Sequence, residues 1–164
     1  MNLSLYTGGV KPYLEYGWVC APNAAGQSIA ANTITTLTID TEVADTGNFG
    51  SVASNQITLA AGTYYYEASV GFNTVDGMLV GGVLGLFNVT AGTYVSRAPS
   101  LHNANNGYSN LKGQFSLVSS AVFELRAVPS GLGFRVANFS YIYPSTLTTA
   151  GADQRTTLKL WKLA

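Results

Sequence analysis

Few side chains in this sequence could carry chemistry. The 164-residue chain has one histidine and one cysteine. His102, in "SLHNANNGYS", completes a Ser–His–Asp relay only if the fold delivers an aspartate and a serine, and no G-x-S-x-G elbow is present. In a self-associating chain, copies of His102 could meet on an axis and hold zinc. Its surroundings read as a polar loop, so a solvated histidine is the expectation. Cys20, in "GWVCAP", has no neighbour that would activate a thiolate, and reads as a small buried apolar residue. A lone cysteine excludes an intrachain disulfide and fits a reducing compartment. Asp40 and Glu42 stand two apart and would share one strand face. That spacing could serve a calcium ion or a glycosidase pair, but a solvated strand edge accounts for it. Gly81, Gly82 and Gly85 make no phosphate loop and instead allow a close approach. The sequons at Asn88 and Asn138 carry no meaning without a secretory signal. No catalytic residue, cofactor or metal is assigned, and an enzyme is not expected.

Composition points elsewhere. Apolar residues are 47% of the chain and charged residues 10%, with eight basic and eight acidic side chains and zero net charge. Ordinary soluble domains carry about 25% charged residues. So few charges favour self-association that hides part of the surface. No basic run predicts a nucleic-acid or anionic-membrane partner. The opening "MNLSLYTGGVKPYLEYG" lacks the charge and long apolar run of a signal peptide. "MLVGGVLGLF" (78–87) is roughly half of a spanning helix and reads as a strand buried on both faces.

The elements that must position these residues are strands. Gly, Thr, Ser, Asn and Val abound, and no long window has a helical period. In "TYYYEASVGF", Tyr64, Tyr66, Ala68, Val70 and Phe72 fall on one face, and Tyr65, Glu67, Ser69 and Gly71 on the other. In "VFELRAV", Phe123, Leu125 and Ala127 should point inward, Glu124 and Arg126 outward. Phe115 and Leu117 share one side of "GQFSLV". Turn signals recur at "ADTGN", "AAGT", "VDG", "TAGT", "NANNG", "PSGLG" and "TAGAD". The strands expected are 16–21, 27–31, 34–40, 55–60, 63–72, 79–89, 92–97, 108–118, 121–128, 133–142 and 155–163. That is an all-β, two-sheet antiparallel sandwich or jelly roll of about ten strands. Residues 1–15, with Gly8, Gly9 and Pro12, read as an arm, and 16–164 as the sandwich.

Four stretches occur in order: "NQITLAAGTYYYEAS" (55–69), "LGLFNVT" (84–90), "LKGQFSLVSSAVFELRA" (111–127) and "TTLKLWKL" (156–163). Together they resemble the jelly-roll modules of bacteriophage tail and collar fibres and related virion proteins, which look like the tumour necrosis factor and complement globular-head fold. The resemblance spans roughly 16–163. It implies two sheets, a homotrimer about a three-fold axis and a non-enzymatic role in a virus particle made in the host cytoplasm. It also implies that the strand after "AAGT" lies near the axis, with Tyr65 packed on a neighbour. Trp161 and Leu163 join the expected trimer interface.

The role expected is a homotrimeric capsid decoration (cement) or head-fibre protein. Its arm, through Leu3, Leu5, Tyr6, Tyr13, Leu14 and also Tyr16, would grip the major capsid protein or other virion proteins. The absence of a fibre shaft ahead of the module favours that role. The alternative is a host-recognition module of a tail or head fibre. It would bind a surface glycan or protein through the loops at 43–50, 73–78, 99–107 and 129–133. Tyr108, Tyr141 and Tyr143, with Asn103, Asn105 and Asn106, could supply such a surface. A secreted or cellular trimeric ligand is a third reading, disfavoured by the missing export signal.

Overall fold

The structure is a computed structural model that describes residues 11–20, 26–74, 80–102, 107–130, 134–136 and 153–163. Among these the chain forms strands and no helix. In order they are β1 (Tyr13–Cys20), β2 (Ser28–Ile29), β3 (Thr35–Thr36), β4 (Thr41–Asp45), β5 (Gly50–Ala53), β6 (Gln56–Leu59), β7 (Gly62–Thr74), β8 (Val80–Asn88), β9 (Thr93–His102), β10 (Gly107–Leu117), β11 (Ala121–Ser130), β12 (Phe134–Val136) and β13 (Asp153–Lys162). All pairings are antiparallel. The body of the first sheet runs β10–β7–β13–β1–β4, with β12 and β2 continuing beyond the far end of β7. The second runs β5–β6–β11–β8–β9, and β3 pairs with β11. This is the two-sheet antiparallel jelly-roll sandwich expected from alternation and turns.

The core lies between the sheets, where period-two alternation sends every second side chain. Tyr64, Tyr66, Ala68, Val70 and Phe72 are buried from β7, as are Phe123, Leu125 and Ala127 from β11. Leu84, Leu86, Leu158 and Leu160 complete the facing layers. Phe115 joins the layers, its ring centroid 5.5 Å from that of Tyr64, 5.7 Å from Tyr66 and 5.1 Å from Phe123. The phenols of Tyr64 and Tyr66 find partners in the Ala60 carbonyl, at 2.8 Å, and the Ser96 hydroxyl.

Four expectations need correction. The arm does not reach residue 15. "YLEYGW" alternates, so Leu14 and Tyr16 are fully buried and Tyr13 opens β1. Leu14 and Tyr16 therefore belong to the core and are not free to grip another protein, and Tyr13 is held in the first sheet rather than in an arm. Leu3, Leu5 and Tyr6 lie outside the described residues. The second correction concerns 34–40, where only Thr35 and Thr36 pair as a strand. The chain crosses there from the second sheet to the first, and its amides bond the Leu125 carbonyl (2.8 Å), Gln27 Oε1 (2.9 Å), Asn55 Oδ1 (3.2 Å) and the Gly17 carbonyl (3.2 Å). Third, β4 and β5 were hidden in the turn signal. Asp45 Oδ1 accepts from the Gly47 and Asn48 amides at 2.9 and 2.6 Å and closes a tight turn between these short strands. Fourth, β8 is buried on one face only, with Val83 39% exposed on the other. Gly85 does permit a close approach: a Cβ there would come within 2.7 Å of Tyr94 Cε1.

Two buried hydroxyls, those of Tyr16 and Thr156, have no hydrogen-bond partner among the described residues, and the first can be tested. A Cβ at Gly50 would stand 2.9 Å from the Tyr16 hydroxyl. Burial, then the charges of Glu42 and Asp45, push this phenol well above its ordinary value. Tyr16→Phe keeps the ring and removes the orphan oxygen. It is expected to leave stability unchanged or raise it by about 1 kcal/mol; a clear loss in urea unfolding would contradict the assignment.

Candidate self-association face

The outward face of the first sheet is built in rows, because registry places residues of four adjacent strands side by side. One row reads Gln114 (β10), Tyr65 (β7), Trp161 (β13), Tyr13 (β1). Two residues along, the next reads Lys112, Glu67, Lys159, Glu15. The third reads Asn110, Ser69, Thr157, Gly17. An aromatic row thus lies beside a row of alternating charge, and that beside a row of small polar residues.

The rings of the first row touch. Trp161 lies 5.2 Å from Tyr13 and 5.6 Å from Tyr65, centroid to centroid. Each tyrosine is tied to a carboxylate of the charge row. The Tyr65 hydroxyl donates to Glu67 Oε1 at 2.7 Å, and the Tyr13 hydroxyl donates to Glu15. The bond to Glu67 raises the Tyr65 phenol; burial, then the bond to Glu15, raise that of Tyr13. Both therefore remain neutral donors at ordinary pH. Lys159 Nζ stands 3.9 Å from Glu15 Oε1. The charge row carries two ammoniums and two carboxylates and sums to zero. Where it meets the small polar row the surface drops into an open cleft lined by Glu67, Ser69, Asn110, Lys112, Thr157 and Lys159. Nothing in this set is a nucleophile paired with a base. It is a neutral, aromatic, hydrogen-bonded surface suited to burial against protein.

Of the expected interface residues, Tyr65 and Trp161 are brought into contact. Leu163 follows β13, half-buried, with its amide bonded to the Thr63 carbonyl at 2.7 Å. Sequence reasoning missed Tyr13, Glu15, Lys112 and Lys159 as members of this face. The glycines and proline ahead of Tyr13 point to an arm, and registry is invisible until strand order is known. The other candidates stay apart from it, except Tyr108, which stands opposite Gly71 in the next row beyond Asn110. His102 ends β9 opposite Val80, so its backbone is strand rather than loop. Cys20 ends β1 opposite Asp153. Asp40 precedes β4, accepting from Thr41 Oγ1 at 2.9 Å, and Glu42 is exposed within it. Among the described residues no group of three or more His, Cys, Asp or Glu could hold a metal. Tyr108 is 58% exposed on β10, while Tyr141, Tyr143, Asn103, Asn105 and Asn106 lie outside the described residues.

No protein-family model matches the chain, and no curated protein matches it by sequence. Solved structures do. Murine APRIL superposes with a TM-score of 0.60 at 13% identity, covering 93% of this chain and 99% of that one. The globular domain of zebrafish complement 1qA gives 0.55 at 8%, covering 94% and 98%. PRD1 vertex protein P5 gives 0.56 at 16%, covering 96% and 100%. The chain shares their fold. At these identities the likeness speaks for the fold alone, and it agrees with the tumour necrosis factor and complement-head type expected from the sequence.

Proposed function

We propose that this chain is a virion structural protein: a jelly-roll module that closes into a homotrimer and decorates a phage shell. The observation that carries the reading is the row of touching aromatic rings beside a self-neutralising row of charge on one sheet face. Its rings are the residue types that anchor protein interfaces, and the alternating charges can pair with one another around them. The scarcity of charge over the whole chain supports it. The likeness to PRD1 vertex protein P5 over nearly the full length supports a place in a virus particle.

The residues ahead of β1, with Leu3, Leu5 and Tyr6, are the segment proposed to reach the major capsid protein. An extended arm covers much area for its length, and three arms per assembly multiply avidity. The test is to add purified protein to undecorated capsids and image them. Density retained at shell sites is expected. Removing residues 1–10, which spares β1, should abolish retention and leave self-association intact. Absence of retained density with strong adsorption of the labelled protein to host cells would replace shell decoration with host recognition.

A further inference from the structure

Three copies that turn one sheet face toward a common axis must bring the margins of that sheet together. The contact is heterologous, one margin meeting the opposite margin of the next copy. In the first sheet those margins are β10 and β4. β10 pairs only with β7 among the described residues, and β4 only with β1. β9, the edge of the second sheet, packs along the same side as β10.

The two margins differ in charge. The β9/β10 side carries Arg97, exposed with its guanidinium carbon 5.2 Å from the Tyr94 ring centroid, and the exposed Lys112. The β4 margin carries Asp40 and Glu42, both exposed, beside Val43 at 47% exposure. None of these four charges forms an ion pair among the described residues, where the ion pairs are Arg126–Glu124 and Lys159–Glu15. Each margin also offers an exposed apolar residue, Val43 on one and Tyr108 on the other. Unpaired edge strands invite pairing with another chain, and opposite charge on opposite margins selects one direction of approach.

We infer that the β9/β10 margin of one copy docks on the β4 margin of the next, with Arg97 and Lys112 facing Asp40 and Glu42 around the ring. The inference rests on the trimeric reading and adds the polarity of the contact.

The test is charge reversal followed by sedimentation equilibrium at micromolar concentration, with circular dichroism and thermal unfolding as controls for folding. Asp40→Lys with Glu42→Lys should weaken assembly about a hundredfold. Arg97→Glu with Lys112→Glu should do the same. The chain carrying all four changes should regain the wild-type mass, because the polarity is merely inverted. If the Arg97/Lys112 variant fails to fold, the Asp40/Glu42 variant decides by itself, and the four-fold rescue is read only on a chain whose circular dichroism shows it folded. A wild-type mass in the Asp40/Glu42 variant, or no rescue in the four-fold one, overturns the contact. A wild-type chain that sediments alone overturns the trimeric reading itself, and this contact with it.

Discussion

Trp161→Ala is expected to release folded single chains from the assembly. Trp161 is the middle ring of the aromatic row, touching Tyr13 and Tyr65. It faces away from the core, and β13 is held independently by Leu158 and Leu160 within the sandwich. The single chain should therefore keep its strands. Truncating a central aromatic anchor typically costs about 2 kcal/mol or more at an interface. A closed trimer repeats that loss at each contact. At micromolar concentration this moves the population from assembled to dissociated, read by sedimentation with unchanged circular dichroism. Tyr65→Lys should act in the same direction by placing a third ammonium beside Lys159 and Lys112. A Trp161→Ala chain of wild-type mass would show that the face is merely a solvated surface.

The largest expected effect on the single fold belongs to Glu124. Alternation placed it outward, and it does lie on the outer side of the second sheet, yet it is only 7% exposed. Thr36 Oγ1 of β3 donates to it at 2.9 Å, Gln56 Nε2 of β6 at 2.8 Å, and Arg126 Nε of β11 at 2.7 Å. Arg126 Nη2 adds an ion pair at 2.7 Å, and the same guanidinium lies over the Phe87 ring at 3.6 Å. One carboxylate thus ties three strands together. Removing it leaves a half-buried guanidinium and two side-chain donors short of an acceptor. Glu124→Ala should lower the unfolding free energy by about 2–3 kcal/mol.

The same site fixes a pH dependence. Burial alone would raise the Glu124 carboxyl, but bonds from Gln56, Arg126 and Thr36 and the charge of Arg126 together hold it below its ordinary value of 4.5. The unfolded chain then takes up the proton more readily than the folded one. The contribution is fully present above about pH 4.5 and fades as pH falls through the lowered value. The stability gap between the wild type and Glu124→Gln should narrow over that acid range. A gap constant from neutral pH down to pH 3 would contradict the assignment.

What the sequence showed and what it hid follow from what alternation can report. It assigns faces, so the split of Tyr64, Tyr65 and Tyr66 across β7 was legible. So was the inward set of β11. It does not report strand order, so the rows on the first sheet were hidden, although every member of them except Tyr13 and Glu15 sat on a strand already expected. Tyr13 is the clearest loss: the glycines and proline before it suggested an arm, and its partner across the sheet, Trp161, is far away in the chain. Alternation also says nothing of loops folding over a sheet. Glu124 is covered because Thr36 and Gln56 arrive from distant segments. The short strands β4 and β5 were masked by the Asp45 turn that joins them.

Three sandwiches meeting on the aromatic face of one sheet is the claim on which the assembly, its polarity and its place on a shell all depend. Sedimentation equilibrium of the unmodified chain at micromolar concentration tests it directly. The account predicts a single species of three times the 17.2 kDa chain mass. A stable species of one chain mass would contradict it.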